Sequence, residues 1–169
     1  MPGALSVHLE PWGPDDHPLV EQLMGDPAMT EFLGGPESPE KLADRQRKYA
    51  ALGSGMYKIV DDESGVDIGS VGFWDKDWRG GEVYETGWMV LPAFQGRGLA
   101  VVATRQAIEL ARQTGRHRYM HAFPKVVNEA SNAICRKLGF TLLGVCDFEY
   151  PPGNPIRCND WQLDLLGSD

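Results

Sequence analysis

The stretch Met89-Val90-Leu91-Pro92-Ala93-Phe94-Gln95-Gly96-Arg97-Gly98-Leu99-Ala100 constrains the fold of this chain more than any other. An apolar strand pattern stops at a proline and two glycines follow. An apolar helix pattern then begins at once on Leu99, Val102, Ala103, Ala107 and Leu110, with Gly115 to stop it. The strand pattern HRYMHAF comes next, so a strand–helix–strand unit occupies the middle of the chain. Hairpins lie before it and closing strands after it. The chain therefore reads as α+β, a single domain with a mixed, mostly antiparallel sheet and helices on both faces. The loop is also an anion cradle. N–H groups at a helix start lack partners within the helix, and the helix dipole favours negative charge there. Small Ala100 allows close approach, and Arg97 can add a phosphate contact. Taken alone, the glycines fit a tight turn with no ligand equally well.

The rest of the chain supplies the layers. LSVHLEPW (5–12) alternates as a strand, and GPDDHPLVEQLM forms a short helix with Asp15 and Asp16 near its start. DPAMTEFLGG and SPEKLADRQRKYAALG read as two further helices, the second opened by Ser38 with Pro39 first inside it. MYKIVDDESGVDIGSVGFW reads as a hairpin, with a turn at Asp62–Gly65 and a second strand ending at Trp74. DKDWRGG reads as a turn before the strand EVYETGWMVL. NEASNAICRKL predicts a helix with Ala130, Ala133, Ile134 and Leu138 inward, and FTLLGVCDFEY and RCNDWQLDLL predict two closing strands.

Composition sets the bounds. A length of 169 residues suits one domain, 1–169, with a sizeable core. A net charge of −8 argues against nucleic acid or an anionic membrane as the main partner. No apolar run approaches the ~20 residues that span a bilayer, and MPGALSVHLEPW lacks the basic and apolar regions of a signal peptide. Cys135, Cys146 and Cys158 are odd in number and lack a framework spacing, so reduced thiols in the cytoplasm are expected. His117 and His121 share a strand face but sit too far apart for a good metal pair, so no metal is expected.

Two nucleotide motifs fail at the junction. A dinucleotide fingerprint needs glycine where Val101 stands, and a P-loop needs Gly-Lys-Ser/Thr. Val90-Leu91-Pro92 through Ala100 instead resembles the Q/R-x-x-G-x-G/A signature of GNAT-type N-acetyltransferases, with the V-x-P that commonly precedes it. Asn128-Glu129-Ala130-Ser131 and then Lys137-Leu138-Gly139-Phe140 resemble the second motif of that family, in the right order and on the right element. DPAMTEFLGG and NDWQLDL are similar to the branch that includes ribosomal-protein N-terminal acetyltransferases.

The resemblance implies a GNAT-like sheet splayed at its centre and acetyl-CoA as cosubstrate. The N–H groups of Gly96, Arg97, Gly98, Leu99 and Ala100, behind Gln95, would hold the pyrophosphate. Met89, Val90 and Leu91 would pair with pantetheine like an added strand, and Asn128 and Ser131 would contact the same molecule. Gly87 suits a bulge or a close backbone approach that opens the sheet.

Acetyl transfer to an amine needs a base, because such an amine has a pKa of ~10.4. It also needs an oxyanion donor and a proton for the departing thiolate. Glu85 is the expected base, since period two puts it on the face of Gly87 and Met89. A backbone N–H near Met89 or Val90 is the expected oxyanion donor. Cys135 takes the place where many family members carry a tyrosine as general acid. A buried thiol without a proton role and a catalytic thiol are both open there, and Tyr150, Tyr84 or water could serve instead. For the acceptor, acidic and aromatic residues near Glu85 suit an amine: Trp74, Tyr84 and Trp88, with Phe32 from the early helices. The acceptor is expected to be a small molecule or a protein N-terminus, and the protein a monomer or homodimer. The alternatives are a transferase of another acyl-CoA and a non-catalytic CoA-binding module on the same fold.

Overall fold

A computed structural model describes residues 6–167. Strand β1 (Val7–Pro11) leads into helix α1 (His17–Met24) and helix α2 (Pro39–Ala50). Ser38 caps α2 by accepting a hydrogen bond from the Lys41 N–H, and Arg47 and Lys48 sit at its negative end. No helix forms over DPAMTEFLGG. Residues 27–34 make successive turns instead, because Pro27 opens the segment and Gly34 and Gly35 take φ of +92° and +91°. Two left-handed residues in a row end the chain's descent before a helix can propagate.

β2 (Met56–Asp61), β3 (Asp67–Trp78) and β4 (Gly81–Val90) form a meander. β3 runs to Trp78 rather than Trp74. The turn is confined to Arg79 and Gly80, both at positive φ (+49° and +82°), which is the geometry that matches the twist of a two-residue hairpin. Pro92 ends β4, a short 3-10 turn spans Pro92–Phe94, and α3 (Leu99–Thr114) follows, stopped by Gly115 in the left-handed region. β5 (Tyr119–Ala122), α4 (Glu129–Lys137), β6 (Thr141–Glu149) and β7 (Pro155–Asp164) complete the chain.

The seven strands form one sheet in the order β1-β2-β3-β4-β5-β7-β6, antiparallel except where β4 meets β5. α3 and α4 cover one face. Their Leu99, Ala103, Ala107, Ile108, Cys135 and Leu138 pack with Ile68, Val71, Tyr84 and Met120 of the sheet. α1 and α2 cover the other face over β2 and β3, where Leu19, Val20, Leu23, Met24 and Leu42 join Trp12 and Met56. Each such fully buried aliphatic side chain contributes about 1.5–3 kcal/mol.

The inward face of α4 differs from the sequence expectation. Asn132, Cys135 and Leu138 point inward, Ala130 is exposed, and Ala133 and Ile134 are half-buried. A buried asparagine is tolerated because its bonds are all made. Asn132 Nδ2 donates to the carbonyls of Lys125 (3.0 Å) and Asn128 (2.8 Å), and its Oδ1 accepts from Asn159 (2.9 Å) and Trp161 (2.8 Å).

Candidate active site

The parallel pair of β4 and β5 is where the sheet opens. The ladder pairs Tyr84 with Met120 and Glu85 with His121, and stops there. β4 continues to Val90 against β3 alone, so residues 86–90 present one edge to a gap. Gly87 faces Gly72 in unbroken register, so there is no bulge with β3. The close-approach reading fits instead: a Cβ on Gly87 would lie 3.3 Å from the Trp74 ring.

The backbone direction in that gap is readable. The Leu91 N–H bonds the Ile68 carbonyl on β3 (2.8 Å), whereas the Val90 carbonyl turns away and accepts from Gln95 Nε2 (2.8 Å). Strand alternation therefore aims the amides of Val90 and Trp88 at the gap and those of Met89 and Leu91 at β3. Of the two expected oxyanion donors, Val90 has the right direction and Met89 does not. Side chains follow the opposite logic: Met89 and Leu91 pack with the α1–α2 layer, and Val90 with the α3 layer.

At the end of the gap lies the glycine loop. Gly96 and Gly98 adopt φ of +77° and +75°, and open space surrounds the position of a Cβ on either. Gly98 is the N-cap of α3 and no side chain caps that helix, so its first amides point into the open. Leu99 is buried and anchors the loop, Ala100 is half-buried, and Arg97 is exposed with its guanidinium over Phe94. An uncapped helix start with left-handed glycines before it fits a pyrophosphate. The edge of β4 beside it fits the amide chain of pantetheine.

Glu85 occupies the last paired position before the split. Its side chain is 18% exposed and lies 4.0 Å from Lys76 Nζ. Burial pushes its carboxyl above the ordinary value, while the Lys76 ammonium and the Trp74 indole N–H pull the other way. That direction is the one that suits a carboxylate serving as a general base.

On α4, Asn128 accepts from the Ser131 N–H (3.2 Å) and so caps the helix. The stripe of Asn128, Ser131 and Cys135 is not solvent-facing throughout: Asn128 and Ser131 are half-buried, but Cys135 is fully buried in the α3-side core. Burial pushes its thiol up to about 12. A thiol so placed neither reaches the gap nor ionises near pH 7.

The expected acceptor residues divide between the two faces. Trp74 stands opposite Glu85 on β3. Phe32 is half-buried in the 27–34 turns. Tyr84 corrects the expectation: it is 0% exposed, packs on Phe73 and His117, and its hydroxyl accepts from the Arg116 N–H. One residue from Glu85 along a strand means the opposite face, so Tyr84 belongs to the α3-side core and is no proton donor to the gap. Trp88 packs against that same core. Asp75, on β3 opposite Tyr84, is likewise turned away, bound to Arg116 and His117.

Sequence reasoning missed three groups on the Glu85 face. Lys76 lies beyond Trp74, where the sequence places the end of the strand; the alternation Trp74, Lys76, Trp78 is the signal for it. His121, in register with Glu85, bonds Asp160 through Nδ1 (2.6 Å), and Asp160 also accepts from Trp78 Nε1 (3.0 Å). Arg45 binds Glu37 with two bonds (2.6 and 2.7 Å) and donates to the hydroxyls of Tyr49 (2.9 Å) and Tyr150 (3.0 Å). The last two depend on residues 39 and 105 positions apart, which no local pattern joins.

Comparison with known proteins agrees with this fold. The model of the acetyltransferase (GNAT) domain family matches residues 6–141. The fold is similar to that of a GNAT-family acetyltransferase from Bacillus anthracis, at 17% identity and a TM-score of 0.80, covering 97% of this chain and 98% of that one. It is similar also to the Salmonella typhimurium acetyltransferase that modifies the N-terminal serine of ribosomal protein L7/L12 (22% identity, TM-score 0.77, 94% and 95% covered). A Salmonella typhimurium acetyltransferase structure with its cofactor acetyl-CoA matches at 23% identity and a TM-score of 0.66, with 98% and 96% covered.

Proposed function

The chain belongs to the GNAT acetyltransferase family and is an acetyl-CoA-dependent N-acetyltransferase, and from that premise we propose how its residues divide the work. The observation that carries the reading is the place of Glu85, at the point where β4 and β5 part and beside the unpaired edge of β4. Acetyl-CoA supplies an acetyl thioester when bound. The amides of residues 96–100 bind its pyrophosphate, Gln95 shapes the loop start, and Met89–Leu91 and the cap of α4 at Asn128 and Ser131 flank the rest. Glu85 takes a proton from the acceptor ammonium, either directly or through one water, so that the nitrogen lone pair is free. The N–C bond then forms as the C–S bond breaks, and the Val90 N–H donates to the carbonyl oxygen that gains charge. With Cys135 and Tyr84 both buried in the core, the nitrogen's second proton leaves as the N–C bond forms and passes through water or the Tyr150 hydroxyl to the departing sulfur.

The acceptor is a primary amine at a slender chain end, a peptide N-terminus or a small molecule. Segment 26–37 supports this, since it crosses the Glu85 face from Met29, which meets Gln95, to Gly34, which abuts Pro151. The ribosomal-protein enzyme of the same fold acts on such an end. One domain spanning 1–169 carries the activity, in the cytoplasm, where three free thiols remain reduced. Thiol release from acetyl-CoA across a panel of peptide N-termini, amino acids, polyamines and aminoglycosides tests the reading. Turnover with unhindered amines is expected. Tight CoA binding with no turnover on any amine would overturn it.

A further inference from the structure

Glu85 has a companion that the transfer chemistry above does not use. Lys76 lies on β3 two residues beyond Trp74, on the same face of the sheet, and its Nζ stands 4.0 Å from Glu85 Oε1. The ammonium is not left to wander. It sits 4.5 Å from the ring centre of Phe148 on β6 and 5.9 Å from that of Trp78 on β3. Those two rings are 6.2 Å apart and Phe123 packs against both, at 4.7 and 4.8 Å. Trp78 is fixed in turn by its bond to Asp160. A lysine whose head is seated on two aromatic faces loses little further freedom in meeting a carboxylate.

The other groups facing Glu85 leave it no equivalent partner. His121 on β5 is in register with it but is bonded to Asp160 on β7, with Gln162 at its other nitrogen. Cys158 on β7 is pushed up to about 11 by burial, and Cys146 opposite it on β6 is pushed up by burial too, so both stay neutral. Arg79 lies over Trp78, and from the α2 side Arg45 is bound to Glu37. We propose that Lys76 is a positioning residue for acetyl transfer: its ammonium, seated on Phe148 and Trp78, is the fixed counter-charge that orients the Glu85 carboxylate and keeps it ionised in the cleft. The proposal rests on Glu85 being the base.

The test is the pH dependence of kcat/KM for the wild type, Lys76→Met, Lys76→Arg, Phe148→Leu and Glu85→Gln, with one amine throughout. The amine's own ionisation is common to all and cancels in the comparison. A base must be ionised, so kcat/KM falls as pH drops through its pKa. Without the counter-charge, burial acts on Glu85 with less to oppose it, and the low-pH limb of Lys76→Met moves up by about one pH unit. Lys76→Arg keeps the wild-type limb, and Phe148→Leu shifts it part of the way. A merely structural lysine would instead lower kcat/KM equally at every pH with the limb unmoved, and that result overturns the proposal. A limb that stays at the wild-type position in Glu85→Gln, rather than giving way to the amine's own ionisation alone, refutes Glu85 as the base. A limb that vanishes there yet stays put in Lys76→Met refutes the role of Lys76 alone.

Discussion

Two demands meet at Glu85 in the proposed role of base. A base there must be desolvated enough to accept a proton from an ammonium and charged enough to be ready when the ammonium arrives. Burial supplies the first, and Lys76 with the Trp74 N–H moderates it. The prediction at this scale is specific to its sign. Glu85→Gln lowers kcat by about 100-fold near neutral pH, the range of general-base contributions. The loss shrinks at high pH, where the amine is already neutral. Because the carboxyl sits above its ordinary value, the wild-type low-pH limb lies above the ~4.3 of a free glutamate. An equal loss at all pH, measured in a thiol-release assay from pH 6 to 10, would assign Glu85 to orientation rather than proton transfer. The residue scale also shows where local reading fails. Glu85 is placed by strand parity, but Trp74 and Tyr84 group with it by residue type and proximity in sequence, and one residue along a strand is a whole sheet away.

The element that matters is the start of α3. Its left-handed glycines are required by backbone geometry, since non-glycine residues there carry a strain of about 1–2 kcal/mol, and its uncapped amides are the proposed anion site. Gly98→Asp therefore lowers CoA affinity by at least about tenfold, through like charge at a helix N-terminus and bulk in the cradle. Gly98→Ala shares the strain without the charge, so isothermal titration of both separates the two causes. Equal affinity in all three proteins would remove the loop from the CoA site. The junction was legible because a strand, a proline, two glycines and a helix pattern are all local signals. α4 was less so. Its cap at Asn128 could be read from residue type, whereas its inward face could not. A helical period with alanines and Ile134 on one side suggested an apolar stripe, and only the partners Asn159 and Trp161 from β7 make the burial of Asn132 affordable.

Across the whole molecule, the cleft is framed by segments that meet far from one another in sequence. Arg45 on α2 holds Glu37 from the segment after α1 and Tyr150 from the end of β6, while Gly34 abuts Pro151. With Arg45 and Glu37 only about one-fifth exposed, at 21% and 17%, their loss leaves a partly buried charge unpaired. Arg45→Met is expected to cost about 2 kcal/mol, or about 4–8 °C in Tm for a chain of this size. It should raise KM for the amine while leaving KM for acetyl-CoA unchanged, because the clasp touches the acceptor side and not the glycine loop. Steady-state kinetics with each substrate varied in turn checks this, and an equal rise in both KM values would show a general loss of fold instead.

By itself the sequence determined the elements whose signals are local: the hairpins, the glycine junction, the helix caps, the class of fold and the family to which its two motifs belong. These follow from period, turn chemistry and capping, which act within a few residues. Tertiary structure decided what depends on strands meeting across the chain. It set where β4 parts from β5, that Glu85 stands at that point with Lys76 beside it, and that Cys135 and Tyr84 are sealed in the core. It also turned residues 27–34 away from a helix and carried them across the cleft. Pairing register and burial are properties of the assembled sheet, and no single segment contains them.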